Sequence, residues 1–225
     1  MAVEIKFCGL TQPEDAQMAA SLGASYVGVI FAGGPREITP ARAKAILSNV
    51  PTLVRRVGVF GAKSIDGPNA ASGGAAIRRV VEQVGLDVVQ LHGDLTAESV
   101  AELREVVGAA VWAVSRVSGA LPPDLGSLIE ASDGLLLDAY SASALGGTGV
   151  SFAWEAVAAD LQTIRGEKPI ILAGGLRPEN VGEAIAALAP DVVDVSSGVE
   201  SAPGIKDHER MRAFRDAVLH ASIST

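Results

Sequence analysis

Two residues capable of acid–base chemistry stand at the ends of short apolar segments: Cys8 after VEIKF and Asp138 at the end of GLLLD. A thiolate can accept a proton and a carboxyl group can donate one, so the pair could catalyse proton transfer. Each residue has a structural alternative: a lone cysteine in an apolar strand is often inert packing, and Asp138 could cap the following turn. A charged residue at the end of a buried strand needs either a hydrogen-bond or ion-pair partner or a functional role. We therefore treat Cys8 and Asp138 as candidate catalytic residues.

Lys6 is expected to lie beside Cys8, because alternate residues of a strand point to the same face while Phe7 points to the other. Two strand rises separate the Cα atoms of Lys6 and Cys8 by roughly 7 Å. An ammonium group that near favours the thiolate. We therefore expect a lowered pKa for Cys8.

Polar residues share a face at the ends of two other apolar segments: Gln90 with His92, and Asp194 with Ser196. We expect these side chains to contact a substrate at the end of the strands. For His92, a hydrogen-bonded structural role is an equal alternative.

Two glycine- and serine-rich loops indicate a phosphate site. One contains Gly174 and Gly175, and the other contains Ser196, Ser197 and Gly198. Glycines let backbone N–H groups approach phosphate oxygens, and serines add hydroxyl donors. Either loop alone could be a tight turn, but together they favour a phosphorylated ligand.

The elements that must position these residues are eight repeated strand–helix units, which predict a single-domain α/β fold, a (β/α)8 TIM barrel, over residues 1–225. A flavodoxin-like open sheet is the runner-up. Active-site loops of a barrel lie at the carboxyl ends of its strands. The predicted strands span residues 3–7, 26–30, 53–60, 87–91, 110–114, 134–138, 169–173 and 191–195.

Two glycine-rich segments are predicted to be loops at the same end of the barrel. Residues 61–76 contain Gly-Pro-Asn and Ser-Gly-Gly and are expected to form a long insertion after the third strand. Residues 145–149 are expected to form a loop after the sixth strand.

Composition excludes several classes of function. The net charge is −8 and no long run of Lys or Arg occurs, so no nucleic-acid partner is expected. Cys8 is the only cysteine and the three histidines follow no zinc pattern, so neither a disulfide framework nor a metal site is expected. Without a signal peptide or a membrane span, we expect a soluble cytoplasmic protein, either a monomer or a homodimer, that binds a small molecule.

Six motifs occur together over most of the chain, and in this order and spacing they resemble phosphoribosylanthranilate isomerase of tryptophan biosynthesis. They are Lys6-Phe7-Cys8-Gly9-Leu10-Thr11; Gln90-Leu91-His92-Gly93; Leu137-Asp138; Gly146-Gly147-Thr148-Gly149 with Phe152 and Trp154; Ala173-Gly174-Gly175-Leu176 with Pro178 and Asn180; and Asp194 to Glu200.

The resemblance implies that Cys8 is the general base and Asp138 the general acid of an Amadori rearrangement that needs no cofactor. It also implies that Arg36 meets the anthranilate carboxylate, where the alternative is a solvated loop charge. A bell-shaped pH profile is expected, its acid limb reporting the base and its alkaline limb the acid.

Two other functions stay open at this point. A related sugar-phosphate isomerase of histidine biosynthesis, or a barrel serving both pathways, would usually carry aspartate where this chain has Cys8. A non-catalytic phosphate-binding barrel would need neither the thiol nor the carboxyl group.

Overall fold

The computed structural model describes residues 2–64, 70–117, 120–139, 157–158, 160–161, 163 and 166–223. Eight parallel strands close into a barrel in chain order, with β8 paired to β1. This confirms the TIM barrel and excludes the flavodoxin-like sheet, whose edge strands would be unpaired. The strands are β1 (Glu4–Phe7), β2 (Tyr26–Ile30), β3 (Arg55–Gly61), β4 (Val88–His92), β5 (Ala110–Val117), β6 (Gly134–Ala139), β7 (Ile170–Ala173) and β8 (Val192–Val195).

Seven α-helices of the described residues lie outside the strands. Thr39 caps α2 by accepting the Arg42 N–H at 3.3 Å, and Thr96 and Ser99 form a capping box at α4, so side-chain caps fix where both helices begin. No described helix is long and apolar enough to cross a membrane. The helices are α1 (Pro13–Ser21), α2 (Pro40–Leu47), α3 (Ala70–Val84), α4 (Ala97–Val107), α5 (Leu125–Ala131), α6 (Val181–Leu188) and α7 (His208–Ile223).

Side chains inside the barrel separate into an apolar floor and a polar mouth. The floor is a buried cluster in which the rings of Tyr26 and Trp112 meet edge to face at 4.8 Å, with Val57, Leu136 and Ile171 around them. Residues two or more positions further along the same strand faces reach the carboxyl-terminal mouth. The polar residues singled out in the sequence occupy these positions.

Aspartates at the opposite, amino-terminal end of the barrel join neighbouring strands. Each lies immediately before an even-numbered strand, and its carboxylate accepts a backbone N–H from the preceding strand. These aspartates are Asp87, which accepts from Arg56 at 2.8 Å, Asp133, which accepts from Val111 at 2.9 Å, and Asp191, which accepts from Ile170 at 2.8 Å.

The prediction of a glycine-rich loop over residues 61–76 is wrong for residues 70–76, and residues 65–69 lie outside the described residues. Gly61 ends β3, a 3-10 helix covers Ala62–Ser64, and residues 70–76 form the first two turns of α3. A Cβ on Gly74 would lie 3.0 Å from Val106 of α4, so this glycine lets the two helices pack closely. Helix packing therefore overrides the turn preference of the sequence here.

The chain after β8 folds into short elements that the sequence analysis did not predict. A 3-10 helix spans Ser197–Val199, and β9 (Glu200–Ala202) then pairs antiparallel with β10 (Ile205–Lys206). This hairpin brings Glu200 and Lys206 to the barrel mouth.

Candidate active site

The Cys8 thiol lies inside the barrel mouth, directly after β1. Its side chain is almost completely buried. A Cβ on Gly28 of β2 would lie 2.8 Å from the Cys8 sulfur, so glycine at this position makes room for the thiol. The cysteine therefore lines the interior of the barrel rather than the layer between strands and helices.

Lys6 lies on the same face and forms a buried ion pair across the β1–β8 seam. Its Nζ is 2.9 Å from Oδ1 of Asp194, and the lysine is fully buried. Burial lowers the pKa of Lys6, but Asp194 and Cys8 more than offset this, so the pKa is raised. The structure thus brings three predicted site residues, Lys6, Cys8 and Asp194, together.

The expectation of a lowered pKa for Cys8 is wrong. Burial raises the pKa of the thiol, and the Lys6 ammonium opposes this only in part. The neighbouring Asp194 carboxylate raises it further, because a nearby negative charge disfavours the thiolate. The pKa of the Cys8 thiol therefore lies above its ordinary value.

Asp138 ends the interior face of β6 and is half-buried. Burial raises the pKa of its carboxyl group, while His92 and Arg116 lower it and Asp194 raises it again. Asp138 on β6 and Asp194 on β8 both lie at the carboxyl-terminal end of the barrel, where their carboxyl groups influence each other. The direction of the shift is the one that a general acid requires.

Arg116, which the predicted strand does not include, also lies at the barrel mouth, near the carboxyl end of β5. Its Nη2 lies 3.0 Å from Nε2 of His92. Burial and Arg116 together lower the pKa of His92, which keeps the imidazole neutral with Nε2 as the acceptor. The prediction ended the fifth strand at residue 114, whereas β5 continues to Val117, and this extension carries Arg116 to the mouth.

Two buried side-chain oxygens on the interior face have no hydrogen-bond partner in the part of the chain that the structure describes: Oε1 of Gln90 and Oγ of Ser196. A buried acceptor without a partner is destabilising unless a ligand or water satisfies it. The sequence predicts that Gln90 contacts a substrate and that Ser196 contacts a substrate or its phosphate. An oxygen left without a protein partner on the interior face fits both predictions.

The loop after β7 is held by side-chain hydrogen bonds in a conformation that can present backbone N–H groups as donors. Gly174 and Gly175 have φ angles of +96° and +64°, which favour glycine. Asn180 accepts the Arg177 N–H at 2.8 Å and donates to the Gly175 carbonyl at 3.1 Å. Over the described ranges, no backbone hydrogen bond outside helices and strands uses the N–H groups of Gly174 and Gly175.

The loop after β8 packs directly on the loop after β7. A Cβ on Gly198 would lie 1.9 Å from the carbonyl oxygen of Leu176, so only glycine fits there. Ser196 precedes the 3-10 helix that contains Ser197 and Gly198. The five residues predicted to bind phosphate thus form one pair of touching loops.

Gly198→Ala should therefore separate the two loops. We expect about 1–3 kcal/mol of lost stability, as for other overpacked positions, and a weaker affinity for inorganic phosphate. Thermal unfolding and calorimetric phosphate titration would measure both effects. Gly126→Ala is the control, since an added Cβ meets nothing within 4 Å. Unchanged phosphate affinity in a folded Gly198→Ala protein would contradict the assignment of this loop.

Arg36 is anchored to the loop after β8 and is not a solvated loop charge. Its Nε and Nη2 donate to the two carboxylate oxygens of Glu200 at 2.8 and 2.6 Å. Lys206 donates to Glu200 Oε1 at 2.8 Å and to the Ser196 carbonyl at 3.1 Å. A Cβ on Gly9 would lie 2.7 Å from Cδ of Arg36, which places the arginine over the Cys8 end of the mouth.

Residues 145–149, with Phe152 and Trp154, lie outside the described residues. Among those described, no group of three or more His, Cys, Asp or Glu side chains could hold a metal ion.

The comparison with known proteins decides the family. A profile of N-(5'phosphoribosyl)anthranilate (PRA) isomerase matches residues 5–217. The chain belongs to this family. The N-(5'-phosphoribosyl)anthranilate isomerase of Geobacter sp. (strain M21) is 43% identical over 214 residues, which are 94% of this chain and 95% of that protein.

Two solved structures of the isomerase family agree with this fold. Monomers of the dimeric phosphoribosylanthranilate isomerase from Thermotoga maritima superpose with a TM-score of 0.75 at 33% identity, covering 96% of this chain and 98% of theirs. An isomerase in complex with reduced 1-(o-carboxyphenylamino)-1-deoxyribulose 5-phosphate gives a TM-score of 0.76 at 32% identity, with the same coverage.

Proposed function

We propose that this chain converts N-(5'-phosphoribosyl)anthranilate into 1-(2-carboxyphenylamino)-1-deoxyribulose 5-phosphate, as an isomerase of tryptophan biosynthesis. The observation that carries the proposal is the mouth of the barrel. There, the buried thiol of Cys8 after β1 and the Asp138 carboxyl group on β6, whose pKa is raised, lie at the same end of the barrel as the touching loops after β7 and β8. This arrangement can bind a sugar phosphate at the loops and transfer protons at the thiol and the carboxyl group.

In the first step, protonated Asp138 donates to the furanose ring oxygen while the C1–O bond breaks. The nitrogen lone pair forms the C1=N bond, giving a protonated Schiff base and an aspartate anion. In the second step, the Cys8 thiolate removes the proton from C2, and the electrons of that bond neutralise the iminium nitrogen. The resulting enolamine tautomerises to the ketone, so no external oxidant, reductant or cofactor enters the balance.

The remaining predicted residues bind and orient the substrate. Gly174, Gly175, Ser196, Ser197 and Gly198 hold the phosphate through backbone N–H and hydroxyl groups. Arg36 binds the anthranilate carboxylate. The polar groups between these two ends, Lys6, Gln90, His92 and Asp194, line the path of the opened sugar.

We place all 225 residues in one cytoplasmic domain whose partner is this small molecule. It is a monomer or a homodimer, and sedimentation of the purified chain separates the two. Neither a nucleic acid nor a membrane is expected as a partner, and no metal or cofactor is needed.

The test is a fluorescence assay that follows loss of phosphoribosylanthranilate after addition of the purified protein. Turnover supports the proposal. The absence of turnover would contradict the proposal and favour a non-catalytic phosphate-binding barrel. The aminoaldose substrate of the related histidine-pathway isomerase, assayed in parallel, distinguishes a barrel that serves both pathways.

Arg36→Ala should raise KM by at least about tenfold with a much smaller change in kcat. A carboxylate contact made equally in the ground state and the transition state contributes uniform binding, and its loss appears in KM. Steady-state kinetics at saturating substrate measure the two constants separately. An unchanged KM would count against the role of Arg36.

A further inference from the structure

The guanidinium of Arg36 uses only one of its two edges. Nε and Nη2 form the edge that faces Glu200, and across the described residues Arg36 makes no other side-chain hydrogen bond. The Nη1 side, with the second hydrogen of Nη2, therefore keeps the planar fork that matches a carboxylate. About a quarter of the Arg36 side chain is exposed, against 5% of Glu200, so the free edge is the accessible one.

Glu200 is held from several directions, so it can fix the plane of Arg36. Its carboxylate accepts from Lys206 at 2.8 Å and from the Gly204 N–H at 3.3 Å, in addition to Arg36. The backbone of Lys206 is tied to α1 through its N–H, which donates to Asp15 at 3.0 Å. The β9–β10 hairpin thus connects the Arg36 anchor to the first helix of the barrel.

The lysine also determines the charge of this group. Arg36 and Glu200 alone would be neutral and would offer little attraction to an anion. Lys206 is almost fully buried next to the carboxylate. Burial lowers the pKa of Lys206 and Glu200 opposes this. As an ammonium, Lys206 leaves the three residues with one net positive charge. Net charge of this kind acts over several ångströms in a partly buried site.

We propose that Glu200 and Lys206 are positioning residues for Arg36: they hold its free edge toward the aromatic carboxylate of the substrate and keep the subsite cationic. This inference rests on the proposed function. It predicts that changes at Glu200 or Lys206 weaken the recognition of that carboxylate more than the binding of the rest of the ligand, although Lys206 also donates to the Ser196 carbonyl of the phosphate loop.

The experiment uses two ligands that differ only in this group. The first is reduced 1-(o-carboxyphenylamino)-1-deoxyribulose 5-phosphate, and the second is its phenylamino counterpart without the carboxylate. Calorimetry would measure the Kd of each for the wild type, Lys206→Met, Lys206→Arg and the exposed control Lys44→Met. Lys206→Met should weaken the first ligand by at least about tenfold and the second by less than about twofold. Lys206→Arg should keep most of the wild-type difference in Kd between the two ligands. Lys44→Met should match the wild type for both ligands.

Glu200→Asp separates orientation from charge. It keeps the carboxylate but moves it back by one methylene, so contact with Arg36 loosens while the net charge stays the same. We expect a selective loss for the carboxylate ligand here too. This variant also decides the question if Lys206→Met does not fold.

Equal weakening of both ligands in Lys206→Met and Glu200→Asp would mean a purely structural role and overturn the inference, as would unchanged affinities. Failure of the wild type to bind either ligand would instead refute the proposed function. The two failures are therefore distinguishable.

Discussion

Asp138→Asn should lower kcat by at least about 100-fold, the contribution that a positioned general acid commonly makes. Asparagine keeps the shape of the side chain at the end of β6 but has no acidic proton for the ring oxygen. Because burial already raises the pKa of the Asp138 carboxyl group, removing its charge relieves a desolvation cost, and the fold should not suffer. Single-turnover kinetics and thermal unfolding would test both statements.

The matched control is Asp133→Asn, at the opposite end of the same strand. The carboxylate of Asp133 accepts the Val111 N–H and pairs with Arg104 at 2.7 Å. We expect this variant to lose stability while kcat stays near the wild-type value. Near-normal turnover in folded Asp138→Asn would remove Asp138 from the mechanism.

Cys8→Ser should also lower kcat steeply, because a hydroxyl group at neutral pH is a far poorer base than a thiolate. Cys8→Ala distinguishes chemistry from packing: an inert core cysteine would lose stability on truncation and keep its turnover. The sulfur lies against Gly28 and the Lys6–Asp194 pair, so some loss of stability is expected in either case. The mechanism requires that turnover falls in both variants.

The pH dependence of kcat/KM gives an independent readout, and here the structure changes the expectation. Catalysis needs a Cys8 thiolate together with a protonated Asp138. The pKa of Cys8 is raised above the ordinary thiol range, whereas Asp138 is raised from the much lower carboxyl range. The active form is then a minority species between the two pKa values, since most molecules carry the opposite pair, a neutral thiol and an ionised carboxyl group.

The profile stays bell-shaped, but each limb now reports the ionisation of the other residue. Below the pKa of Asp138, activity rises with pH as protons leave the free enzyme; above the pKa of Cys8, activity falls. The acid limb therefore belongs to Asp138 and the alkaline limb to Cys8, the reverse of the assignment made from the sequence. Thiol titration by ultraviolet absorbance gives the pKa of Cys8 directly. A Cys8 pKa that coincides with the acid limb would restore the original assignment.

Strand periodicity alone was sufficient to predict that six polar residues share the barrel mouth. Alternation places Lys6 with Cys8, Gln90 with His92, and Asp194 with Ser196, and the eight apolar segments close into the expected barrel. These predictions succeed because side-chain direction in a strand depends only on local backbone geometry. The two glycines at 174–175 could also be singled out from the sequence, since the positive φ angles that favour glycine are a local property of the backbone.

Properties that depend on packing between distant segments were decided only by the tertiary structure. Gly74 lies in a helix rather than a loop because α4 packs against it, and Arg116 reaches the mouth because pairing with β6 prolongs β5. Glu200, which Lys206 contacts within the β9–β10 hairpin, pairs with Arg36 across a sequence separation of 164 residues. The pKa of Cys8 is the clearest case: the lysine beside it is visible in the sequence, but the burial and the Asp194 carboxylate that outweigh it belong to the fold.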